Sequence, residues 1–398
     1  MSAIIERTTE PGGRRMLAVK ELLGSKLKFG LIALAIGLVV SLTFIMAAMS
    51  EGLITGMTGA KGNLAADALV FQGDTFLALE RSRLSADDLE TIASAPGVAE
   101  SYGVGLAMVS VDSADEPFDA RAFGLGGSFD QLPIVEGVGN PGPGEAVLDV
   151  TAQVNGVELG DTLHLTPIDE ELTVVGFTED RRYIMTPAIY VDMPTWERVF
   201  VATAIGRMDD SGQAGAPDTA RIIEQVAGSA SIAAVQLAEG VSVEELAGEL
   251  EPAYDVVTPA EAALAGNGMS VMILAVNGIQ VVSLVIGALV IGVFFYITTL
   301  HKTGQIAAIK ALGASNGFVY RQLLLQITIL VAIASALGIA ITLATGSSMP
   351  PAMAFDPQPD RWATSLLAIF AMAYLGSLFS LRSILAIDPA TALDRAEH

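Results

Sequence analysis

The sequence predicts an α-helical membrane protein with four transmembrane helices and a mixed α/β extracytoplasmic domain inserted between the first and second spans. Composition is the first observation behind this prediction: 52% of the 398 residues are hydrophobic, 16% are charged, and the mean hydropathy is +0.55. The second is that four runs lack any charge and have the roughly 20 apolar residues that a bilayer-spanning helix needs. These runs are residues 29–49, 269–300, 323–344 and 362–381.

The N-terminal segment, residues 1–28, carries six lysines and arginines ahead of the first span. Within it, residues 16–28 alternate apolar residues and lysines at near-helical spacing, which predicts an amphipathic helix on the inner membrane surface. The first span (TM1, residues 29–49) is longer than the 7–15 apolar residues of a signal-peptide core. We therefore expect an uncleaved membrane anchor.

The insert, residues 50–268, is strongly acidic. It contains 36 acidic and 9 basic residues, a net charge of −27, which argues against nucleic acid or anionic lipid as its partner. The whole chain has no cysteine, so disulfides and thiolate metal sites are excluded.

Strand and helix signals alternate along this insert, which predicts a mixed fold. The first strand is expected at residues 67–72, followed by a helix that Ser85 caps and that stops before Pro96. A second helix is expected at 241–251, capped by Ser242, and residues 211–217 read as a loop. Further strands are predicted at 98–111, 145–149, 162–166, 173–177 and 188–191.

The C-terminal third is predicted to cross the membrane three times. Its second span would be about 48 Å long, against a hydrocarbon core of roughly 30 Å, so we expect it to project as a stalk. Basic residues favour the cytoplasmic side, so both termini and the loop between the second and third spans are placed inside a cell membrane, with the insert outside. The boundaries are TM2 269–300, a cytoplasmic loop 301–322, TM3 323–344, an outer loop 345–361, TM4 362–381 and a cytoplasmic tail 382–398.

The cytoplasmic loop contains a short helical segment, residues 302–315, between two apolar runs. Gly304 and Gly313 permit the turns that would bracket such a helix. Lys302 and Lys310 either contact acidic groups of a soluble motor protein or simply mark the inner face. A compact helix that joins two spans is a natural contact point for such a motor.

Several motifs, in order along nearly the whole chain, resemble those of the MacB/FtsX-like (type VII, mechanotransmission) ABC transporter permeases. Residues 309–315 resemble the coupling motif of that family, and residues 384–393 resemble its C-terminal ending. Residues 145–149, 160–163 and 172–177 resemble its outer-domain pattern. Gln305 stands where many members carry an acid, which is closer to the haem-exporter branch.

This resemblance implies a homodimeric permease in membrane lipid, coupled to two copies of a cytoplasmic ABC ATPase that binds the ATP. The implied ATPase-coupling residues are Lys302, Gly304, Gln305, Lys310, Gly313 and Ser315. The chain itself has no P-loop, no His-Glu-x-x-His motif and no Gly-x-Ser-x-Gly motif, and its three histidines are far apart. We therefore expect no enzymatic activity, catalytic residue, metal site or intrinsic cofactor in this chain.

Methionines gather at the predicted outer ends of the first two spans, next to one acid. Thioether and carboxylate groups can bind a metal-bearing ligand such as haem. Haem is therefore the first guess for a hydrophobic, membrane-partitioned cargo. Ordinary helix packing explains the same methionines equally simply. The candidate substrate-binding residues are Met46, Met49, Glu51, Met57, Met269 and Met272.

Two alternative functions stay open from the sequence. One is an exporter of peptides, antibiotics or lipoproteins with the same architecture. The other is a mechanotransmission protein that transports nothing and regulates an extracytoplasmic partner.

Overall fold

The chain folds into two compact units in a computed structural model. We call residues 1–51, 276–349 and 355–398 the helical unit, and residues 52–275 with 350–354 the α/β unit. The described residues are 26–112, 116–127, 132–166, 170–210, 223, 226–265, 269–301, 313, 315–350, 353, 355–356, 362–371 and 373–375. The predicted amphipathic segment before residue 26, the loop 211–217 and the C-terminal tail lie outside them.

The described part of the helical unit consists mainly of apolar helices. They are α1 (Lys26–Gly62), α6 (Met269–His301), α7 (Asn316–Gly346) and the shorter α8 (Trp362–Leu375). Two of them, α1 and α6, continue into the α/β unit. By length and composition, α1, α6 and α7 can each cross a membrane. The predicted end of the fourth span, residues 376–381, is outside the described residues, so the count of four spans stays a prediction. The structure also extends α1 thirteen residues past the predicted end of the first span at Met49.

Helices α1 and α7 pack closely because small residues line their crossing. A Cβ added at Gly338 would lie 2.7 Å from Cγ1 of Val40 and 3.0 Å from the Gly37 carbonyl oxygen, so the α7 backbone approaches α1 closely only because position 338 has no side chain. Next to this contact the hydroxyls of Ser41 and Thr342 are 3.4 Å apart, and both residues are buried. Small residues at four-residue spacing and inter-helix hydroxyl contacts are typical of packed membrane helices.

The α/β unit contains both strands and helices, as the sequence predicted, and its strands form one mixed sheet. Within the described residues its path is β11-β1-β10-β2-β3-β9-β5-β7-β4, with β6 paired to β2 and β7, and β8 paired to β9. Two of the pairings, β3 with β9 and β5 with β7, are parallel, and the others are antiparallel. The strands are β1 (Ala68–Gln72), β2 (Val98–Asp112), β3 (Phe118–Leu125), β4 (Ile134–Gly137), β5 (Glu145–Asp149), β6 (Thr162–Thr166), β7 (Glu170–Thr178), β8 (Arg182–Tyr183), β9 (Thr186–Asp192), β10 (Ile232–Leu237) and β11 (Tyr254–Val257).

In the described part of the α/β unit, four α-helices between α1 and α6 pack around this sheet. They are α2 (Ala86–Ala93), α3 (Met193–Asp210), α4 (Val243–Leu250) and α5 (Pro259–Leu264). Ser85 and Ser242 form capping boxes at the starts of α2 and α4, which confirms both predicted caps. No sequence signal had predicted α3.

Helix α3 is anchored by Trp196, which is fully buried against the sheet. Its indole lies over Gly105 of β2 and Gly124 of β3, which are directly paired across the two strands. A Cβ added at either glycine would overlap the tryptophan side chain. The two glycines therefore form a slot that only a bare backbone can provide.

Candidate functional site

The predicted coupling segment is described only at its C-terminal end. Gly313 has a φ of +91°, a left-handed conformation that suits glycine and makes the predicted turn. Two residues later, the Ser315 side chain accepts a hydrogen bond from the Phe318 N–H and caps α7. The other predicted coupling residues, Lys302, Gly304, Gln305 and Lys310, lie outside the described residues.

The candidate cargo residues of the helical unit lie on different faces of α1. At 100° per residue, Met46 and Met49 are about 60° apart around the helix, whereas Glu51 is about 140° from Met46. Met49 is 45% exposed, and Met46 and Glu51 are partly exposed. The two methionines therefore share a face that Glu51 does not.

The remaining candidates, Met57, Met269 and Met272, belong to the α/β unit. Met57 and Met272 are partly exposed, and Met269 is buried. The main-chain carbonyl of Met57 accepts a hydrogen bond from the Ile184 N–H at 3.0 Å. Met57 thus takes part in a contact between α1 and a hairpin of the sheet.

That hairpin, residues 180–186, packs against the last two turns of α1. The Met185 N–H donates to the Gly56 carbonyl at 2.8 Å, and the side chain of Asn63 donates to the Asp180 carbonyl at 3.0 Å. Glycine at position 59 is required, because an added Cβ would overlap the Asp180 carbonyl oxygen. Helix and hairpin thus meet backbone to backbone.

Lys61 secures another face of the same helix, about 140° from Gly56. Only 3% of Lys61 is exposed, and its ammonium donates to the carbonyls of Ala265 at 3.1 Å and Leu77 at 3.4 Å. Ala265 follows α5 and precedes α6 in the chain. Lys61 therefore ties the end of the first apolar helix to the segment that enters the second, and to the loop 73–77.

We call the loop 73–77, the hairpin 180–186 and residues 264–265 the collar, because they surround residues 56–63 of α1. The Tyr183 side chain of the hairpin also interacts with Glu80, three residues past the loop 73–77. Burial, and secondly the Glu80 carboxylate, raise the pKa of Tyr183, so its hydroxyl stays protonated at neutral pH.

Two family models match this chain in sequence order. A MacB-like periplasmic core domain matches residues 29–253, more than half of the chain, and an FtsX-like permease C-terminal domain matches residues 277–389. The chain is an ABC-type permease of the MacB/FtsX family. This confirms the resemblance seen in the sequence motifs, and permeases of this family work with a cytoplasmic ATPase.

Curated relatives of the permease carry the name hemin transport system permease protein HrtB. The Staphylococcus haemolyticus protein is 29% identical over 120 residues, which are 30% of this chain and 34% of that protein. The Staphylococcus epidermidis protein is 28% identical over 109 residues, 27% of this chain and 31% of that protein. The matched stretch thus spans about a third of the length of each relative.

Two of the solved structures that are similar to part of this chain are a periplasmic region and an extracellular domain of other proteins. The periplasmic region of MacB from Actinobacillus actinomycetemcomitans covers 50% of this chain and 92% of its own, with 13% identity and a TM-score of 0.33. The extracellular domain of YknZ from Gram-positive bacteria covers 48% of this chain and 98% of its own, with 12% identity and a TM-score of 0.31.

Among the cations that sequence reasoning missed, Lys61 is buried and Arg83 is partly buried. Lys61 has one available signal, since it is the only lysine among residues 50–268. The sequence offers no signal for Arg83. Its guanidinium carbon lies 3.9 Å from the centroid of the Phe200 ring, a pairing that only the fold creates. Burial lowers the pKa of Arg83, and its Nη1 has no hydrogen-bond partner within the described residues.

Arg83 lines a small cleft between β2 and α3. The cleft has a volume of about 90 Å³, room for a few water molecules. Leu106, Met108 and Thr203 form part of its wall. Within the part of the chain that the structure describes, no group of three or more metal-ligating side chains (histidine, cysteine, aspartate or glutamate) is present.

Proposed function

We propose that this permease exports a hydrophobic, membrane-partitioned compound, with haem as the first candidate, using ATP hydrolysed by a separate subunit. The single observation that carries the proposal is family membership together with relatives that are named hemin permeases. In this proposal the α/β unit lies outside the cytoplasmic membrane and both termini lie inside, following the positive-inside rule.

Two copies of the permease, in this proposal, dock two copies of the ATPase through residues 302–315. Helix α6 supports a mechanical role, since it is one helix of 33 residues between the α/β unit and the start of this segment. Its apolar side chains are largely exposed within one chain, as expected for a helix that lipid or a second copy covers. Closure of the ATPase dimer would displace the segment, and α6 would carry that displacement along its axis.

The cargo would bind where Met46 and Met49 share one face of α1. Thioether groups are polarizable and adapt to a flat apolar ligand, and a methionine sulfur is an accepted axial ligand of haem iron. Glu51 lies on another face, so it would act on the cargo only from a second copy or at another step of transport. Met57, Met269 and Met272 stay candidates for the same path.

A haem titration of the permease–ATPase complex in nanodiscs tests this proposal, with the haem Soret absorption as the readout. We expect a saturable shift that weakens in Met46→Ala and Met49→Ala, while the matched control Met108→Ala leaves it unchanged. If all three variants show the same Soret shift as one another, Met46 and Met49 do not contact the cargo, and α1 does not form the cargo site. Absence of any saturable shift would contradict haem as the cargo and favour a peptide, antibiotic or lipoprotein.

The coupling role is tested separately by ATP hydrolysis. We expect Lys310→Glu to abolish stimulation of the ATPase by the permease while the complex still inserts into membranes, because charge reversal would repel acidic groups of the ATPase. Unchanged stimulation would remove Lys310 from the coupling role. The haem titration of the same variant would stay unaffected, so the two parts of the proposal fail independently.

A further inference from the structure

Strand β2 has an open stretch along one of its edges. On one side β2 pairs with β3 from Val104 to Val111 without a break. On the other side the pairing with β10 stops at Val104 and the pairing with β6 starts at Ser110, so no strand of the described residues pairs with residues 105–109 there. We call this open edge of residues 105–109 the notch. An unpaired strand edge presents main-chain N–H and C=O groups with which another chain can pair.

Two main-chain groups face the notch, one on either side of Ala107. The Leu106 N–H donates to the hydroxyl of Ser231, the residue before β10, at 3.0 Å, so the main chain of Leu106 points away from β3. Because this direction alternates along a strand, the main chain of Met108 points to the same side. Among the described residues, the Leu106 carbonyl and the Met108 N–H form no hydrogen bond on that side. The notch thus offers one acceptor and one donor.

Arg83 brings a positive charge to the same cleft. Its backbone is fixed, because the next residue, Leu84, exchanges two main-chain hydrogen bonds of 2.9 Å with Ala230. Its guanidinium lies over the ring of Phe200, and Nη1 is buried without a hydrogen-bond partner in the part of the chain that the structure describes. A buried donor without a partner costs free energy, and a carboxylate is the acceptor that a guanidinium binds most strongly. The cleft is therefore suited to a carboxylate.

The shape and charge of the cleft limit what can occupy it. Its volume of about 90 Å³ equals that of about three water molecules, so it has room for the end of a chain and not for a strand of several residues. A strand that ran through the notch would also have to bend outwards at β10 and again at β6. Glu80 lines the cleft as well and interacts with Tyr183, and its negative charge disfavours a ligand with further acidic groups. These limits favour a chain end with a single carboxylate.

We propose that this cleft binds the C-terminal residue of a polypeptide. Paired in parallel opposite Ala107, that residue donates its N–H to the Leu106 carbonyl and accepts from the Met108 N–H with one carboxylate oxygen. The other carboxylate oxygen accepts from Nη1 of Arg83. The side chain of the bound residue lies on the face of Ala107, beside Phe200, where the small volume favours a small apolar residue. The proposal goes beyond the proposed function, because it holds whatever compound the permease carries.

Surface plasmon resonance on the full-length permease in nanodiscs tests the proposal. The probe is a short N-acetylated peptide of glycine residues that ends in valine with a free carboxylate, and the comparison peptide differs only in an amidated C-terminus. We expect the free acid to bind saturably and about ten-fold or more tightly than the amide, because the amide cannot form a charged hydrogen bond with Arg83. Equal affinities for the two peptides, or no saturable binding of the free acid, would overturn the proposal.

Two arginine variants locate the binding site. Arg83→Gln should reduce the affinity for the free acid to that for the amide. The matched control is Arg198→Gln, because Arg198 lies on α3 and pairs with Glu170, so both affinities should stay unchanged. A preference for the free acid that persists in Arg83→Gln would show that the carboxylate binds elsewhere. The comparison of acid and amide on the unsubstituted permease needs no variant, so the proposal can still fail if Arg83→Gln does not fold.

Two further ligands distinguish a chain end from other sources of a carboxylate. Acetate has the charge but lacks the main-chain N–H, and an amidated glycine peptide with one internal glutamate has a carboxylate on a side chain. We expect both to bind several-fold more weakly than the free-acid peptide. Acetate that binds as tightly as that peptide would indicate a site for small carboxylates, and equal binding of the glutamate peptide would indicate a side-chain site. Either result would overturn the proposal.

Discussion

The slot for Trp196 offers the sharpest test of how this fold is held together. Gly105→Ala adds one methyl group where the indole of Trp196 already lies. Strand β2 is paired on both sides, to β10 and β3, so it cannot move away from the helix. The tryptophan must therefore leave its slot or the strand must distort.

The magnitude follows from the two ways of relieving this overlap. Overpacking a well-packed core typically costs about 1–3 kcal/mol, and loss of a buried tryptophan costs about 3–5 kcal/mol. Trp196 is fully buried, so we expect a loss of about 2–4 kcal/mol in the free energy of unfolding. In a domain of this size, each kcal/mol of lost stability lowers the melting temperature by about 2–4 °C. We therefore expect a fall of about 4–16 °C.

Gly248→Ala is the matched control, because it is the same substitution with the opposite expectation. Gly248 lies in α4, and an added Cβ would meet nothing within 4 Å. Alanine in place of an exposed helical glycine should raise stability by about 0.5–1 kcal/mol.

The assay is thermal unfolding followed by tryptophan fluorescence in a Trp362→Phe background, where Trp196 is the only tryptophan. Gly105→Ala should lower the melting temperature and shift the emission of Trp196 towards that of a solvated indole. A melting temperature within about 1 °C of the parent protein, with unchanged emission, would refute the packing argument. Addition of Trp196→Leu should recover part of the loss, because it removes the overlap; this variant contains no tryptophan, so its melting temperature is followed by circular dichroism.

Three further predictions concern the membrane helices, the collar and the acid stability of the α/β unit. Gly338→Ala should lower the melting temperature in detergent by overpacking the crossing of α1 and α7, at a cost of about 1–3 kcal/mol, whereas Gly278→Ala, with open space around it, should not. Gly59→Ala should displace the hairpin 180–186, and faster tryptic cleavage at its two buried arginines would report this; unchanged cleavage would contradict the contact. Partial burial raises the pKa of Asp88, but hydrogen bonds from Tyr254 and from the helix cap outweigh burial and hold it below its ordinary value. The hydrogen bond from Tyr254 to the ionised Asp88 carboxylate stabilises the fold at pH values above the ordinary pKa of aspartate. This contribution is lost as the pH falls through the lowered pKa of Asp88. Tyr254→Phe should therefore cost about 1 kcal/mol in urea unfolding at neutral pH and nothing in strong acid, and an equal cost at both would contradict this assignment.

Local signals predicted part of the α/β unit well. The strand at 162–166 and the caps at Ser85 and Ser242 match the structure, because alternating apolar residues and capping side chains act within a few residues of chain. Helix α3 and the strands β3, β4, β8, β10 and β11 were missed. Strand β10 is a short apolar run that is equally compatible with other structures, and α3 has weak amphipathic character and owes its position to one buried tryptophan.

Some features of the candidate site could also be predicted from local sequence signals, and others could not. Hydropathy indicates the methionine-bearing ends of the apolar helices, and the turn at Gly313 follows from a glycine at a chain reversal. The separation of Glu51 from Met46 and Met49 follows from helical geometry once α1 is known to continue through residue 51 without a break. The partners of Lys61 lie 16 and 204 residues away in the chain, so no local pattern predicts them.

By itself the sequence determined the membrane class, the acidic insert and the family with its two matched domains in order, because these depend on composition, length and local motifs. Tertiary structure alone decided the Trp196 slot, the crossing of α1 and α7 and the collar around α1. Each of these depends on backbones that approach each other from distant parts of the chain. A glycine that permits such an approach is indistinguishable in sequence from Gly248, where an added Cβ would meet nothing within 4 Å.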